Sequence, residues 1–201
     1  MNSFDIIRGT FSNYVNFDST TIRRRAICCL VTEANMNDVL FSAELQGGKF
    51  VNCRMARTQF CGSDLSDTYF YSCILQRANF AGTMIQFAKF VNCHLEGANF
   101  RGCRGTGVIF TNCNLEGILF DWNNSMIVAA ILQNRRDHEN HKWAIDYIRK
   151  HGIVQYLALD DDNDDSLSWV RSVLDFHTRE NNYPQSWYST KGDGNVQRTA
   201  Q

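Results

Sequence analysis

The chain has 201 residues, of which 44% are hydrophobic and 20% are charged, a composition typical of one soluble domain with or without an appendage. Its 20 Lys and Arg against 21 Asp and Glu leave a net charge of −1, which argues against a general nucleic-acid binder. No apolar run approaches the roughly 18 residues that span a bilayer. Residues 1–8 lack a signal-peptide pattern, so we expect a cytoplasmic protein whose eight Cys are thiols rather than disulfides.

The first 42 residues contain short segments built around a central apolar residue. These segments are VNFDS at Phe17, CCLVT at Leu30 and ANMND at Met36, and their spacing is irregular. They look like ragged copies of the repeat that begins at residue 43. We therefore expect one or two irregular coils here, with the first residues covering the N-terminal edge, because an open β-stack must hide its edges or polymerise.

Residues 43–122 repeat every five residues. Every fifth position from Leu45 to Phe120 is large and apolar in fifteen of sixteen cases, and Gly105 is the exception. The residue two positions earlier is mostly small, and the residue two positions later is often Gly, as in the units ANFAG, CHLEG and CNLEG. A period of five fits neither a helix nor a strand. It fits a chain that turns a corner every five residues, so that four units close one square coil.

A second period, four units long, runs in phase with the first. It predicts a core in which Phe side chains stack on two opposite inner faces beside a ladder of small Cys side chains. The predicted core residues are Phe50, Phe60, Phe70, Phe80, Phe90, Phe100, Phe110, Phe120, Cys53, Cys73, Cys93 and Cys113. Asn52, Asn92 and Asn112 fall at corners, where Asn and Gly tolerate unusual backbone angles.

The units resemble those of the pentapeptide-repeat family, which centre on Leu or Phe, with a small residue two before and often Gly two after. The resemblance implies a right-handed quadrilateral β-helix, an all-β solenoid without catalytic activity that acts by presenting a long surface. The best understood family members resemble duplex DNA in shape and negative charge and bind DNA gyrase, protecting it from quinolones or peptide toxins. Here residues 1–125 carry 11 basic and 10 acidic side chains, so the rows of carboxylates that such mimicry requires are lacking.

The five-residue phase ends after Phe120, and helical patterns follow. Three helices are predicted from apolar positions that share a face: Met126, Ile127, Ala130 and Ile131 in the first, Trp143, Tyr147 and Ile148 before Gly152 in the second, and Leu167, Val170, Val173 and Leu174 in the third. We expect a β-helix over 1–122, with regular coils over 43–122, and a helical cap or docking region over 123–184. This region could also join two copies as a homodimer. Residues 185–201 are expected to form a flexible tail.

Candidate chemistry is sparse. His138, Glu139 and His141 lack the i, i+4 spacing of a zinc helix, and the acidic run at 160–165 lacks the Gly and Glu of a calcium loop. The inward thiols should have raised pKa values and poor access, so they are interpreted as small packing residues. Cys61 should face water, and it is interpreted either as a residue without a functional role or as a reactive thiol. We expect no enzyme, no cofactor and no metal.

One outer face differs from the other three. Its outward residues are Lys49, Tyr69, Lys89 and Ile109 before the Phe centres, and Val51, Tyr71 and Val91 after them. Exposed aromatic and β-branched side chains in a stripe are typical of a binding patch. Two alternatives are open: the C-terminal helices could cover the stripe, or β-branched residues could be there only because they suit strands.

The leading interpretation is a non-catalytic protein–protein interaction or scaffold module that presents a rigid β-helical surface. Its partner is a protein of unknown identity, with no direct contact to nucleic acid or membrane. The alternative is a DNA-mimicking, gyrase-binding protein that confers resistance to an antibiotic or a toxin.

Overall fold

The computed structural model describes residues 3–4, 10–11, 21–23, 28–42, 44–121, 123–134 and 142–157, together with Val170 and Val173. Within these ranges the chain forms stacked parallel coils followed by helices. The strands are β1 (Ser3–Phe4), β2 (Thr10–Phe11), β3 (Thr21–Arg23), β4 (Leu30–Thr32), β5 (Leu40–Ser42), β6 (Lys49–Val51), β7 (Tyr69–Tyr71), β8 (Lys89–Val91) and β9 (Ile109–Thr111). The helices are α1 (Ser125–Gln133), α2 (Lys142–His151) and α3 (Ile153–Leu157).

Successive coils pair in parallel and in register. On one side β6, β7, β8 and β9 pair so that Lys49 lies beside Tyr69, Tyr69 beside Lys89, and Lys89 beside Ile109. Single parallel bridges join the other three sides at the same interval, as between Arg54 and Ile74, Gln59 and Asn79, and Asp64 and Met84. The predicted four-sided coil of four units and the solenoid fold class are therefore confirmed.

The backbone conformation at the corners explains why each five-residue unit forms one side of the coil. The corner residues adopt the left-handed backbone region, with φ of 55° at Asn52, 54° at Asn92 and 70° at Gly62. Asn and Gly enter this region more readily than other residues. A turn hydrogen bond closes many corners, as where the Ser63 N–H donates to the Phe60 carbonyl at 2.9 Å. The direction of the chain thus changes every five residues.

The core consists of two stacks of Phe rings that meet edge to face. Phe70 and Phe90 stack with centroids 4.9 Å apart at 3°, and Phe80 and Phe100 stack at 4.6 Å and 11°. Between the stacks, Phe80 meets Phe90 at 5.6 Å and 86°. Offset-stacked and edge-to-face pairs are the favoured arrangements of aromatic rings. All eight repeat Phe from Phe50 to Phe120 are buried.

The small polar side chains that point inward can donate a hydrogen bond to a backbone carbonyl of the preceding coil. Cys73 Sγ lies 3.3 Å from the Phe50 carbonyl oxygen, Cys113 Sγ lies 3.3 Å from that of Phe90, and Thr58 Oγ1 donates to the Met36 carbonyl at 2.8 Å. Cys53, Cys73, Cys93 and Cys113 are all buried. A small side chain with one polar hydrogen fits this slot, because the carbonyl above it accepts that hydrogen.

The N-terminal coils are of unequal length. Thr10 pairs with Leu30 at an interval of 20 residues, Leu30 with Lys49 at 19, and Ser3 with Thr21 at 18. The assignment of Leu30 as a centre was wrong, because Val31 is the buried residue, at 1% exposure, while Leu30 is only partly buried. Met36 is buried as expected, and Phe17 lies outside the described residues.

The first helix covers the open end of the last coil. Helix α1 is buried over Ile127–Leu132 and packs beside β9, with α2 against its outer side. The first two predicted helices are confirmed as α1 and α2, whereas α3 was not predicted. Val170 and Val173 are helical and buried, and the rest of the predicted third helix lies outside the described residues, as does the tail over 185–201. Among the described helices, none is long and apolar enough to cross a membrane.

Two Asn side chains continue the coil-to-coil hydrogen bonding where the backbone leaves it. Asn124 Nδ2 donates to the Cys103 carbonyl at 3.1 Å. Asn134 Nδ2 donates to the Cys113 carbonyl at 2.9 Å, and its Oδ1 accepts from the Cys113 N–H at 2.9 Å. Asn124 and Asn134 lie 20 residues after Arg104 and Asn114, whose own N–H groups make the equivalent bonds one coil earlier. Side-chain amides thus stand in for the backbone of a further coil.

Candidate protein-binding face

The predicted stripe residues lie together on the outer surface of β6–β9, which we call the sheet face. Side chains alternate along a strand, so each inward Phe is flanked by two outward residues. The structure places Lys49, Val51, Tyr69, Tyr71, Lys89, Val91 and Ile109 on this face. Tyr71 is 37% exposed, and Lys49 and Lys89 are exposed, so the described helices leave the middle of the face open.

Two tyrosines form the aromatic centre of the sheet face. Tyr69 and Tyr71 project from the same side of β7, and their ring centroids are 6.2 Å apart with an interplanar angle of 15°. Phe70 lies between them in sequence and is fully buried in the core. The two rings are therefore held on a strand that the Phe stack beneath it fixes in place.

A groove runs along the edge of the sheet face, parallel to the stacking direction. It has a volume of about 630 Å³ and crosses several coils. Its lining residues are Lys49, Val51, Asp67, Tyr69, Phe87, Lys89, Gly107 and Ile109. One wall is therefore formed by the outward residues of the strands, and the other by the corner residues that precede them.

Phe87 is the groove residue that the sequence interpretation missed. It occupies a corner where the neighbouring coils have Asp67 and Gly107, and its φ of 57° is unusual for a bulky side chain. It remains 48% exposed, and a Cβ on Gly107 would overlap its ring. The sequence does contain a signal for this residue, because Phe87 stands two positions after a centre, where this repeat favours Gly, Asn or Asp.

The charged side chains that line the groove are not paired with one another. Lys49 and Lys89 form no ion pair with any described residue, and neither does Asp67, whereas Arg57 pairs with Asp38 at 2.6 Å on another side of the coil. The Arg57 guanidinium holds the pKa of Asp38 below its ordinary value. The groove is therefore a surface where two cations are available to a partner.

The thiols divide into a buried and an exposed set. Burial raises the pKa of Cys29 to about 11 and that of Cys103 to about 12. Hydrogen bonding with neighbouring thiols, together with burial, raises the pKa of Cys73 well above its ordinary value. Hydrogen bonding with Cys73 lowers the pKa of Cys53, and hydrogen bonding with Cys113 lowers that of Cys93, so the prediction of raised pKa values is wrong for these two thiols. Cys28 and Cys61 are exposed.

The described part of the chain holds no group of three or more His, Cys, Asp or Glu placed to bind a metal ion. His138, Glu139, His141 and the acidic run at 160–165 lie outside it.

Stacked parallel coils of four units each, with inward Phe and Leu centres, define a β-helical repeat protein. Residues 53–126 match the model of the pentapeptide repeat region, and the predicted resemblance to the pentapeptide-repeat family is confirmed for this part of the chain. No match was found among curated proteins.

Several solved structures are similar. A trypsin-treated form of QnrB1, a plasmid-mediated fluoroquinolone resistance protein, is 23% identical over 52% of this chain and 55% of its own, with a TM-score of 0.47. The chain thus spans about half the length of that protein. Rfr23 from the cyanobacterium Cyanothece 51142 is 22% identical over 53% of this chain and 84% of its own, with a TM-score of 0.38. HetL from the cyanobacterium Nostoc, involved in heterocyst differentiation regulation, is 17% identical over 51% and 62%, with a TM-score of 0.30.

Proposed function

We propose that the chain is a non-catalytic interaction module that binds a protein partner through the sheet face, with the coil acting as a rigid platform. The observation that carries this proposal is the stacked pair Tyr69 and Tyr71, which lies partly exposed between two lysines that form no ion pair with a described residue. Aromatic side chains supply large contact areas at low conformational cost and are enriched where binding energy concentrates.

The contrast with the opposite side of the coil supports this choice of surface. Around Gln59, the outward amides bond to one another: Asn79 Nδ2 donates to Gln59 at 3.0 Å, and Asn99 Nδ2 donates to Asn79 at 3.2 Å. These side chains already satisfy part of their hydrogen-bonding capacity within the protein. The lysines and tyrosines of the sheet face offer charge and apolar area that a partner could cover.

A cytoplasmic location is part of the proposal. All eight Cys are free thiols in the structure. Free thiols persist in a reducing compartment, whereas secreted proteins with many Cys usually pair them.

Tyr71→Ala tests the proposed interface. We expect it to weaken binding of the captured partner by about 2 kcal/mol or more, because a central aromatic anchor is lost. The melting temperature should stay unchanged, since an outward side chain leaves no core cavity. The partner is captured from the native host with the tagged wild-type chain, and its affinity for both purified proteins is then measured by calorimetry.

Gln76→Ala is the matched control, because Gln76 is exposed on the adjacent side. Glu96 on that side is less suitable, since its Oε1 accepts a hydrogen bond from Asn114 at 2.8 Å. A Tyr71→Ala protein that melts earlier and binds with unchanged affinity would refute the interface.

The gyrase-binding alternative comes from the family resemblance, and charge weighs against it. Residues 1–125 have a net charge of only +1, from 11 basic and 10 acidic side chains, whereas a DNA mimic needs a dense row of carboxylates. We expect the purified chain neither to inhibit gyrase supercoiling nor to rescue gyrase from a quinolone. Inhibition or rescue at comparable stoichiometry would replace the leading proposal with this one.

A further inference from the structure

The groove beside the sheet face runs across the strands rather than along them. Its lining residues come from successive coils, from Lys49 through Tyr69 and Lys89 to Ile109. Three steps of about 4.8 Å between coils make it roughly 14 Å long. A bound segment would lie along the rod axis and cross each strand once.

The backbone of this region has no free groups to offer such a segment. The N–H groups of Tyr69, Lys89 and Ile109 donate to carbonyls of the preceding coil at 2.8, 2.9 and 3.0 Å. Strand addition is therefore excluded in this groove, because it needs unpaired backbone groups at an edge. A peptide bound here must keep a conformation that makes no backbone ladder, and polyproline II is an extended regular conformation of that kind.

The lysines set a spacing that polyproline II matches. Lys49 and Lys89 are two coils apart, which corresponds to about 9.6 Å between their strand positions. In polyproline II, residues i and i+3 lie on the same side and are about 9.3 Å apart. Asp67 and Tyr69 belong to the coil between the two lysines, and a carboxylate placed beside Asp67 would be repelled. The complementary charge pattern is acidic–x–x–acidic rather than a run of acids.

The walls between the charges are apolar. Tyr69, Phe87 and Ile109 all line the groove, and Ile109 belongs to its last coil. Phe87 keeps a left-handed backbone although half of its surface stays in water, so burial alone does not account for this residue. The left-handed backbone is common to the corners, so what distinguishes this position is an exposed aromatic ring where the neighbouring coils have Asp67 and Gly107.

We propose that this groove binds a proline-containing segment of a partner protein in the polyproline II conformation, with acidic residues at i and i+3. The carboxylates pair with Lys49 and Lys89, and the intervening prolines pack against Tyr69 and Phe87, as prolines do in aromatic-lined grooves. This inference rests on the proposed function, since it names the kind of segment that a partner would bring to the same face.

The test measures anisotropy of a fluorescein-labelled (Glu-Pro-Pro)4 peptide titrated with the full chain. We expect saturable binding with a Kd below about 1 mM that weakens as salt increases, because the exposed ion pairs are screened. The peptide (Gln-Pro-Pro)4, which has the same shape without charge, should bind at least about tenfold more weakly. Equal binding of the two peptides, or no binding of either, overturns the proposal.

Phe87→Gly tests the apolar contact without threatening the fold. It installs the residue that the next coil has at Gly107, and Gly adopts the left-handed backbone freely. We expect the melting temperature to be maintained or raised while the Kd for the peptide increases at least about tenfold. Lys89→Gln should weaken binding and flatten its salt dependence. Arg101→Gln, which removes an exposed cation on another side, is the control and should change neither. Unchanged affinity in Phe87→Gly overturns the proposal.

Tyr71→Ala separates this inference from the proposed function, because Tyr71 does not line the groove. If (Glu-Pro-Pro)4 fails to bind while Tyr71→Ala still abolishes binding of the captured partner, the groove inference is overturned and the proposed function stands. If the peptide binds through Phe87 while Tyr71→Ala leaves the partner bound, the groove inference stands and the Tyr71-centred interface falls.

Discussion

Phe90 illustrates how a side chain in this protein is selected by the space between two coils. Its ring stacks on Phe70 at 4.9 Å and lies 5.3 Å from Phe110, while Phe80 and Phe100 meet it edge to face. A flat ring fits this slot because aromatic rings bound it above and below. The recurrence of Phe once per coil on this face follows, because each ring is the template for the next.

Phe90→Ala should therefore lower the free energy of unfolding by about 3–5 kcal/mol, as for other buried Phe truncations. Chemical denaturation monitored by circular dichroism measures it. Phe87→Gly is the comparison, since it removes an exposed Phe a few residues away and should not destabilise the fold. A Phe90→Ala protein as stable as wild type would place this ring outside the core.

Thiol accessibility gives an independent count of inward and outward positions. Of the eight Cys, Cys28 and Cys61 are exposed and six are buried. A native sample at pH 8 should react with a thiol reagent at two sites quickly and at eight once unfolded, and Cys61→Ser should reduce the fast count to one. Fast reaction of more than two would contradict the described packing.

Two buried thiols, those of Cys29 and Cys103, predict a loss of stability at alkaline pH. The pKa of Cys29 is raised from 9.0 to about 11 and that of Cys103 to about 12. Above pH 9 the unfolded chain loses these protons while the folded chain retains them, so the free energy of unfolding should fall as pH rises from about 9 towards 12. Denaturation curves at pH 8 and pH 10.5 compare the two regimes.

At the scale of elements, helix α1 succeeds as a cap because its two ends replace a missing coil. Asn124 accepts from the Ile127 N–H at 3.3 Å to cap the helix and also donates to the coil below. Asn134 closes the other end with two hydrogen bonds to Cys113. Between them, the apolar face of α1 covers the last layer of the core.

Asn134→Ala should be destabilising by about 2–3 kcal/mol, because the Cys113 N–H and C=O lose their partners under the cap. Gln76→Ala is the matched control, since Gln76 is an exposed amide whose backbone is not left-handed. Thermal melts of both variants decide the matter: equal effects would mean that Asn134 contributes no more than a surface amide.

The sequence was sufficient for the elements that obey the repeat and insufficient where single residues break it. Phe50 to Phe120 could be placed because their phase is shared by every coil. The Val31 centre was missed because Phe41 and Leu45, both buried, are four positions apart instead of five, so the N-terminal phase slips by one. Phe87 was missed because a pattern treats all corners as equivalent. Helix α3, at five residues, is too short to produce a periodic signal.

Gly105 shows that an apparent lapse in the pattern can have a structural reason. A Cβ at Gly105 would lie 2.5 Å from the Gln86 nitrogen and 2.7 Å from its Cα, and the φ of 136° favours glycine as well. The chain approaches the previous coil here more closely than any side chain permits. The missing apolar centre is thus required by backbone packing, which no composition rule reveals.

For the whole molecule, the constant four-unit interval of the regular coils means that length comes in fixed increments. A chain lacking residues 72–91 joins Tyr71 to Asn92 and brings Phe70 directly beneath Phe110, with each centre still facing inward. We expect it to fold and melt cooperatively. A chain lacking residues 72–93 moves every later centre out of its slot and should not fold. Circular dichroism during heating distinguishes them, and a folded protein from the longer deletion would contradict the coil register.

Outward residues at the same position of successive coils therefore follow one another along the rod at intervals of about 4.8 Å. Removing residues 72–91 would remove Lys89 from this row and leave Lys49, Tyr69 and Ile109 on three successive coils. Gain or loss of a single coil can therefore reset the distance between two charges on the surface without altering the core. A protein built this way can change the spacing of the charged groups that it presents to a partner by changing its number of coils.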